Sequence, residues 1–486
     1  MILDSRWTLP ALAGALALAG CGGSSGTSTF ALGGSLSGLA AGQTVTLDLY
    51  AGAPLVLAAN GAFTLATPVA AGSSYAVTLG AQPVAQQCTL AGGSGVMPAA
   101  DANGIAVTCA PPMQRTIYAP PGNAGGDGQG GLTVDAQGKL YGATSAGGSN
   151  YSGAVFKLAP GASGAYVATV LYNFTGGADG GDPVGGMLVD AAGNIYGTAQ
   201  LGGGNNVGTL FMLAPDGSGG YTQSVLHSFT GGADGSYPNP GLIADTSGTI
   251  YGTVSYGGSG NGTVFALTHS GSGFTMSILY TFAGGNDGMR PFGGLVRDAA
   301  GNLYGTTSAG GASNAGTVFR LAPSGSGYVE SVLYTFTGGA DGAYPNGSLA
   351  MDAAGNLYGS TVAGGVAGGG TVFKLAPKTG GGYAQTVLHS FAGGTDGNNP
   401  YCSVYVDAGG SLYGTTISGG ASYSGTVFRL VPGTGGSYTQ NVLYSFTGGT
   451  DGGQPYAGVV ADAAGNIWGL DTVGGASNVG AVFEIY

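Results

Sequence analysis

The side chains able to do chemistry in this chain are few, and most of them are aspartates. Twenty-two acidic residues stand against 10 basic ones in 486 positions, and only two of the acids, Glu330 and Glu484, are glutamates. Seven aspartates lie in the D-G pair of a repeated G-x-D-G word: Asp127, Asp179, Asp234, Asp287, Asp341, Asp396 and Asp451. Carboxylates that recur once per repeat, joined by loop carbonyls, are the donor set calcium takes, since it binds six to eight oxygens. The D-G set is therefore the candidate Ca2+ site, although no loop has the D-x-[DN]-x-[DN]-G spacing of an EF-hand. The competing reading is that each carboxylate serves its own loop. No other cofactor is expected.

A second set of seven, Asp135, Asp190, Asp245, Asp298, Asp352, Asp407 and Asp462, falls in a D-x-x-G register. An aspartate ahead of a tight turn commonly accepts from its own backbone, so this set reads as turn structure. Of the three histidines, His227 and His389 take the Tyr position of a V-L-Y-x-F run and His269 lies in a turn. No pair has metal-ligand spacing, and no G-x-S-x-G elbow occurs. So few general acids and bases disfavour a conventional hydrolase. A net charge of −12 with 10 Lys+Arg leaves no electrostatic footprint for nucleic acid.

Aromatic residues vary from one glycine-rich stretch to the next: Tyr151, Tyr237, Tyr256, Phe292, Tyr344, Tyr401, Tyr423 and Tyr456. Exposed rings beside polar groups suit a glycan or a peptide. The same residues can also fill loop packing. Of the four cysteines, Cys88 and Cys109 bracket a short segment and are expected to form a disulfide in an exported chain. A zinc site there would need more ligands than the segment offers. Closing a loop of about 20 residues contributes on the order of 3 kcal/mol in the chain-entropy account. Cys402 reads as a buried core residue.

The elements that must carry these residues are strands. With 105 glycines and 21 prolines the chain would suggest disorder, but 43% apolar residues, 27 Tyr and 17 Phe supply burial that offsets chain entropy. The D-x-x-G aspartates recur at spacings of 53 to 55 residues, which makes seven copies. Each copy holds four short β-rich runs, as in 186-GMLVD-190, 194-NIYGTA-199, 208-GTLFML-213 and 221-YTQSVLHSF-229. Four antiparallel strands repeated seven times predict an all-β, seven-bladed β-propeller over residues 115–486. A lone fourth-type strand, 115-RTIYA-119, opens the series, and a third-type strand, 480-GAVFEIY-486, closes it. Together they complete one blade, a Velcro-type closure that removes exposed edges. A β-solenoid is the alternative. In the propeller, the D-G loops and the loops of the 308-SAGGASNAG-316 type emerge on one face.

Residues 29–110 differ, with alternating runs such as Val45–Leu49 and Tyr75–Leu79 between Gly/Asn/Ser turns. They predict a small β-sandwich of six or seven strands. Ahead of it, the apolar stretch from about Trp7 to Ala19 is too short to span a bilayer and reads as a signal-peptide core. Leu18-Ala19-Gly20-Cys21 resembles the bacterial lipobox, the alternative being an ordinary secretory signal. The resemblance implies that residues 1–20 are a lipoprotein signal peptide removed ahead of Cys21, the lipid anchor, and that 21–28 form a tether. Gly22 after the cysteine favours the outer membrane.

The repeated words G-x-D-G-x-x-P, D-x-x-G-N-[LI]-Y-G, G-T-V-F-x-L and V-L-Y-x-F resemble the GloVer tandem repeat of the "choice-of-anchor" surface proteins over about residues 115–486. That resemblance implies surface display with a membrane anchor and no established activity. The expected function is that of a monomeric, lipid-anchored, non-enzymatic binding or scaffolding module at the cell surface, taking a glycan, peptide or envelope partner. The alternative is a metal-assisted hydrolase or lyase at the mouth of the propeller channel.

Overall fold

The computed structural model describes residues 28–49, 53–83, 86–120, 131–161, 165–271, 273–325, 327–462 and 465–486. Cys21 and Asp127 lie outside the described residues. The chain divides into two compact units at Pro111 and Pro112.

The N-terminal unit contains ten strands between Thr29 and Ala110 where six or seven are legible in the sequence. The surplus strands, such as Thr29–Phe30 and Ser94–Val96, are two or three residues long, too short to show alternation. Two four-stranded sheets share one buried core, with Leu32, Leu36, Ile105 and Val107 from one and Val45, Leu47, Val77 and Leu79 from the other. One pairing, Leu32–Ser37 with Ala102–Ala110, is parallel, a long-range contact that no local pattern announces. The Cys88–Cys109 disulfide joins residues directly opposite on antiparallel neighbours.

Among the described residues the second unit has seven sheets, in most of which each strand is hydrogen-bonded to the next in chain order. The fourth sheet is typical: Val296–Arg297, Leu303–Thr307, Thr317–Ser324 and Gly327–Thr335. In the third, the leading strand is split into Ser236–Pro238 and Ile243–Ala244, both paired with Ile250–Tyr256. The seventh takes Val460–Ala461, Ile467–Leu470 and Val482–Ile485 from the C-terminus and its fourth strand, Gln114–Tyr118, from the start of the unit.

Every D-x-x-G aspartate begins the hairpin between first and second strands. At Asp352, one carboxylate oxygen accepts from the amides of Ala354 and Asn356 at 3.0 and 2.9 Å, and the other from Asn356 Nδ2 and the Tyr358 hydroxyl. The turn closes with Gly355 at φ 78°, a left-handed position that suits glycine. Asp245 is held in the same way by Ser247, Thr249 and Tyr251.

Both faces of the second strand are buried because each sheet lies between two others. Val296, Tyr304, Val318 and Phe336 of the fourth sheet share a core with Leu349, Leu357, Phe373 and Leu375 of the fifth. The Phe ending V-L-Y-x-F meets the Phe of the next repeat's G-T-V-F edge-on. Ring centroids are 5.0 Å apart for Phe174–Phe211, 5.1 Å for Phe336–Phe373 and 5.0 Å for Phe446–Phe483. Each such pair adds about 0.5–1.5 kcal/mol beyond area burial. In the seventh sheet, Tyr118 takes this part against Phe156 of the first, at 5.4 Å. Leu140, Phe156 and Leu158 of the first sheet share a core with Trp468, Leu470 and Val482 of the seventh.

Candidate binding face

The D-G loops join one sheet's fourth strand to the next sheet's first. The six described aspartates of the set are not brought together; each turns back into its own loop. Asp341 accepts from the Tyr334 hydroxyl at 3.0 Å, the Thr337 amide at 2.9 Å and the Thr337 hydroxyl. Asp179 and Asp451 repeat this with Tyr172 and Thr175, and with Tyr444 and Thr447. In Asp234 and Asp396 the aromatic partner is a histidine, His227 and His389, at 3.1 Å. Asp287 takes Tyr280 and the Ala283 amide. Burial pushes the carboxyls of Asp179, Asp234, Asp341 and Asp451 up, but the hydrogen bonds outweigh it and hold them below the usual aspartate value. Among the described residues, no group of three or more His, Cys, Asp or Glu is placed to hold a metal ion.

The loop between second and third strands rises beside the D-G loop of the same repeat. The amides of Gly203, Gly258, Gly311, Gly365, Gly420 and Gly475 donate to the carbonyls of Gly177, Gly232, Gly285, Gly339, Gly394 and Gly449. The two glycine-rich families therefore share one side of the sheets.

Between repeats the same side carries a latch. The residue before each loop proline, Asp182, Tyr237, Arg290, Tyr344, Asn399 or Gln454, has φ between 49° and 58°. A left-handed backbone costs a non-glycine residue on the order of 1 kcal/mol. It aims the amide at the preceding repeat, where Tyr344 donates to Ala315 at 2.8 Å and Arg290 to Asn261 at 2.7 Å. The proline then packs on the glycine of G-T-V-F, and a Cβ on Gly316 would lie 2.6 Å from Pro345 Cδ. The two consensus words G-x-x-P and G-T-V-F are thus the halves of one contact.

The eight candidate aromatics separate into two groups. Tyr151, Tyr237, Tyr256, Tyr344 and Tyr423 are exposed, Tyr151 and Tyr423 by 70% and 74%. These two also have left-handed backbones, at a loop position where other repeats place Asn206, Asn314 or Asn478. Phe292, Tyr401 and Tyr456, each directly after a loop proline, pack on one another instead. Phe292 of the fourth repeat meets Tyr401 of the sixth at 6.1 Å, and Tyr401 meets Tyr456 at 5.6 Å. A groove of about 440 Å³ between the first and second repeats is lined by Tyr151, Asp182, Leu201 and Asn206 among others.

The contacts of further groups were not legible in the sequence. Thr198, Thr253, Thr306, Ser360 and Thr415 donate to carbonyls of the next repeat, at Asn239, Gly293, Gly347, Cys402 and Ala457. Cys402 is buried, its sulfur 3.2 Å from the Thr415 amide. Burial pushes the carboxyls of Asp407 and Asp471 up to about 6 and about 8. Gln223, Gln385 and Gln440 each donate to the backbone carbonyl of the preceding D-G aspartate. Glu330 occupies that position in the fourth repeat. One of its carboxylate oxygens is buried without a partner, and burial followed by the charge of Asp287 raises its pKa to about 7. Comparing the repeats in register would have shown this exchange.

The sequence profile of the Gloeobacter/Verrucomicrobia repeat matches residues 98–275 and 241–483. The chain belongs to this repeat family. Among curated proteins none matches. Solved structures similar to it include a provisional 6-phosphogluconolactonase from Bacteroides uniformis, 15% identical, covering 69% of this chain and 88% of that one with a TM-score of 0.45. Another is a provisional oxidoreductase (glucose dehydrogenase) from Thermus thermophilus, 16% identical, covering 62% and 95%, with a TM-score of 0.38. Likeness at these scores carries no weight for the fold or chemistry of the repeat chain.

Proposed function

We propose that this repeat protein is a lipid-anchored module of the cell surface. In this reading its seven sheets form a closed seven-bladed β-propeller, preceded in the chain by a small β-sandwich. Three observations support the closure: the seventh sheet draws its fourth strand from residues 114–118, the first and seventh sheets share a core, and rings of the non-adjacent fourth and sixth repeats meet at Phe292 and Tyr401. The proposed role is non-enzymatic binding of a glycan, peptide or envelope partner through the glycine-rich loop face, with Cys21 holding the chain to the membrane.

The observation that carries this reading is the set of five exposed tyrosines on the side of the sheets where the described D-G carboxylates are taken up by their own loops. The residues after the loop prolines, Val184, Asn239, Phe292, Asn346, Tyr401 and Tyr456, include no carboxylate. The metal-assisted hydrolase reading therefore gains no support from the described residues. Screening the full-length protein against glycan and peptide arrays, and against isolated envelope, tests the role. Saturable binding to one ligand class is expected, whereas substrate turnover without binding to any probe would overturn it.

A further inference from the structure

We propose that the loop surface where the third and fourth repeats meet takes a uronic-acid oligosaccharide, stacked on Tyr237 and Tyr256 and held through its carboxylate by Arg290. The inference rests on the binding-module reading and names the ligand class for one position on that face.

Tyr256 ends the second strand of the third sheet, opposite Ser236. The residues at the same place in the second, fourth, fifth, sixth and seventh repeats are Leu201, Ala309, Ala363, Ser418 and Val473. Only the third repeat puts an aromatic there. Arg290 is the residue before the loop proline of the fourth repeat, where the other described repeats have Asp182, Tyr237, Tyr344, Asn399 and Gln454. It is the single cation of the series. The two exceptions to the repeat pattern thus lie side by side and touch: the Arg290 guanidinium lies 5.3 Å above the Tyr256 ring, and the Tyr237 ring stands edge-on to Tyr256 at 5.9 Å. Tyr237 and Tyr256 are 39% and 41% exposed, so each offers ring surface to solvent.

The backbone under these side chains is fixed before any ligand arrives. The Arg290 amide donates to Asn261, while its carbonyl accepts from the Ser308 amide at 2.9 Å and hydroxyl at 3.1 Å. Among the described residues no carboxylate pairs with the guanidinium. A planar fork on an aromatic face keeps its outer N–H groups for a bidentate carboxylate. Two exposed rings set at a steep angle can each meet the flat C–H face of a different pyranose unit. One cation beside two rings matches a ligand with an isolated carboxylate on a ring, as in a uronic acid. A run of acidic peptide residues would meet one cation on a protein of net charge −12. The corresponding place between the first and second repeats has Asp182 and Ala146 in place of Arg290 and Tyr256, which disfavours the same ligand.

The test is calorimetric titration of the full-length protein with galacturonic acid trimer, its methyl ester and a triglutamate peptide, repeated on Arg290→Gln and Tyr256→Ala. The acid trimer is expected to bind, with the ester weaker by roughly tenfold through loss of the charged hydrogen bonds. Arg290→Gln should bring the acid down to the ester's affinity, and Tyr256→Ala should remove binding of both, each with an unchanged melting temperature. Equal binding of acid and ester, an unaffected variant, or preference for the peptide would overturn the site. Neutral-glycan or peptide binding that persists in both variants would leave the module reading standing without this site. No binding to any array probe would remove both.

Discussion

At the residue scale, the six described carboxylates of the D-G loops work for the fold. Each caps the loop that carries it, through an aromatic partner seven residues earlier and an amide four residues earlier. That pairing was present in the sequence, since a Tyr or His precedes every described D-G aspartate by seven positions. The sevenfold repetition of the carboxylate suggested a shared ring, and only the side-chain directions separate the two arrangements. Melting with calcium and then with chelator should therefore give the same midpoint, because a ligand held only by the folded state would raise it. Glu330 makes a second prediction. Its ordinary carboxyl value of 4.5 rises to about 7 in the folded chain, so its contribution is fully present below pH 4.5 and is lost as pH rises through 7. Glu330→Gln restores the amide donor of the other repeats. It should melt above the wild type at pH 8 and level with it at pH 4, as scanned by thermal fluorescence.

At the element scale, the strands and hairpins were legible because every repeat restates them. D-x-x-G-N gives the turn, and alternation gives the two faces. The contacts between repeats were not legible, since half of each lies some 30 residues from its partner, as with Gly316 and Pro345. Gly316→Ala places a methyl against that proline at a φ of 95° and should cost about 1–3 kcal/mol by denaturant titration. The eight aromatics illustrate the same limit. They have similar sequence surroundings, yet five face solvent and three interlock, and the difference is set by the residue's place before or after the loop proline or in the neighbouring loop. In the N-terminal unit, alternation gave strands but neither the parallel pair nor the shortest elements. Replacing Cys88 and Cys109 by Ala should lower that unit's stability by about 3 kcal/mol, the entropy of the freed loop, measured by chemical denaturation under oxidising conditions.

At the scale of the whole molecule, the protein is a scaffold that takes up its described D-G carboxylates in its own loops and leaves five tyrosines exposed on one side. Its joint is the pairing of Gln114–Tyr118 with Val482–Ile485. Removing residues 112–118 would bare the edge of the last strand and take Tyr118 from Phe156. A lower melting temperature and association at high concentration are expected from scattering and thermal scans. The most direct test of the central claim compares two variants on the same glycan and peptide arrays. One replaces Tyr151, Tyr237, Tyr256, Tyr344 and Tyr423 by Ser, and the other replaces Asp341 and Asp451 by Asn. The account predicts that the tyrosine variant loses binding while keeping its melting temperature, and that the aspartate variant melts earlier while keeping its affinity. Binding that survives loss of the tyrosines but disappears with the aspartates would contradict it.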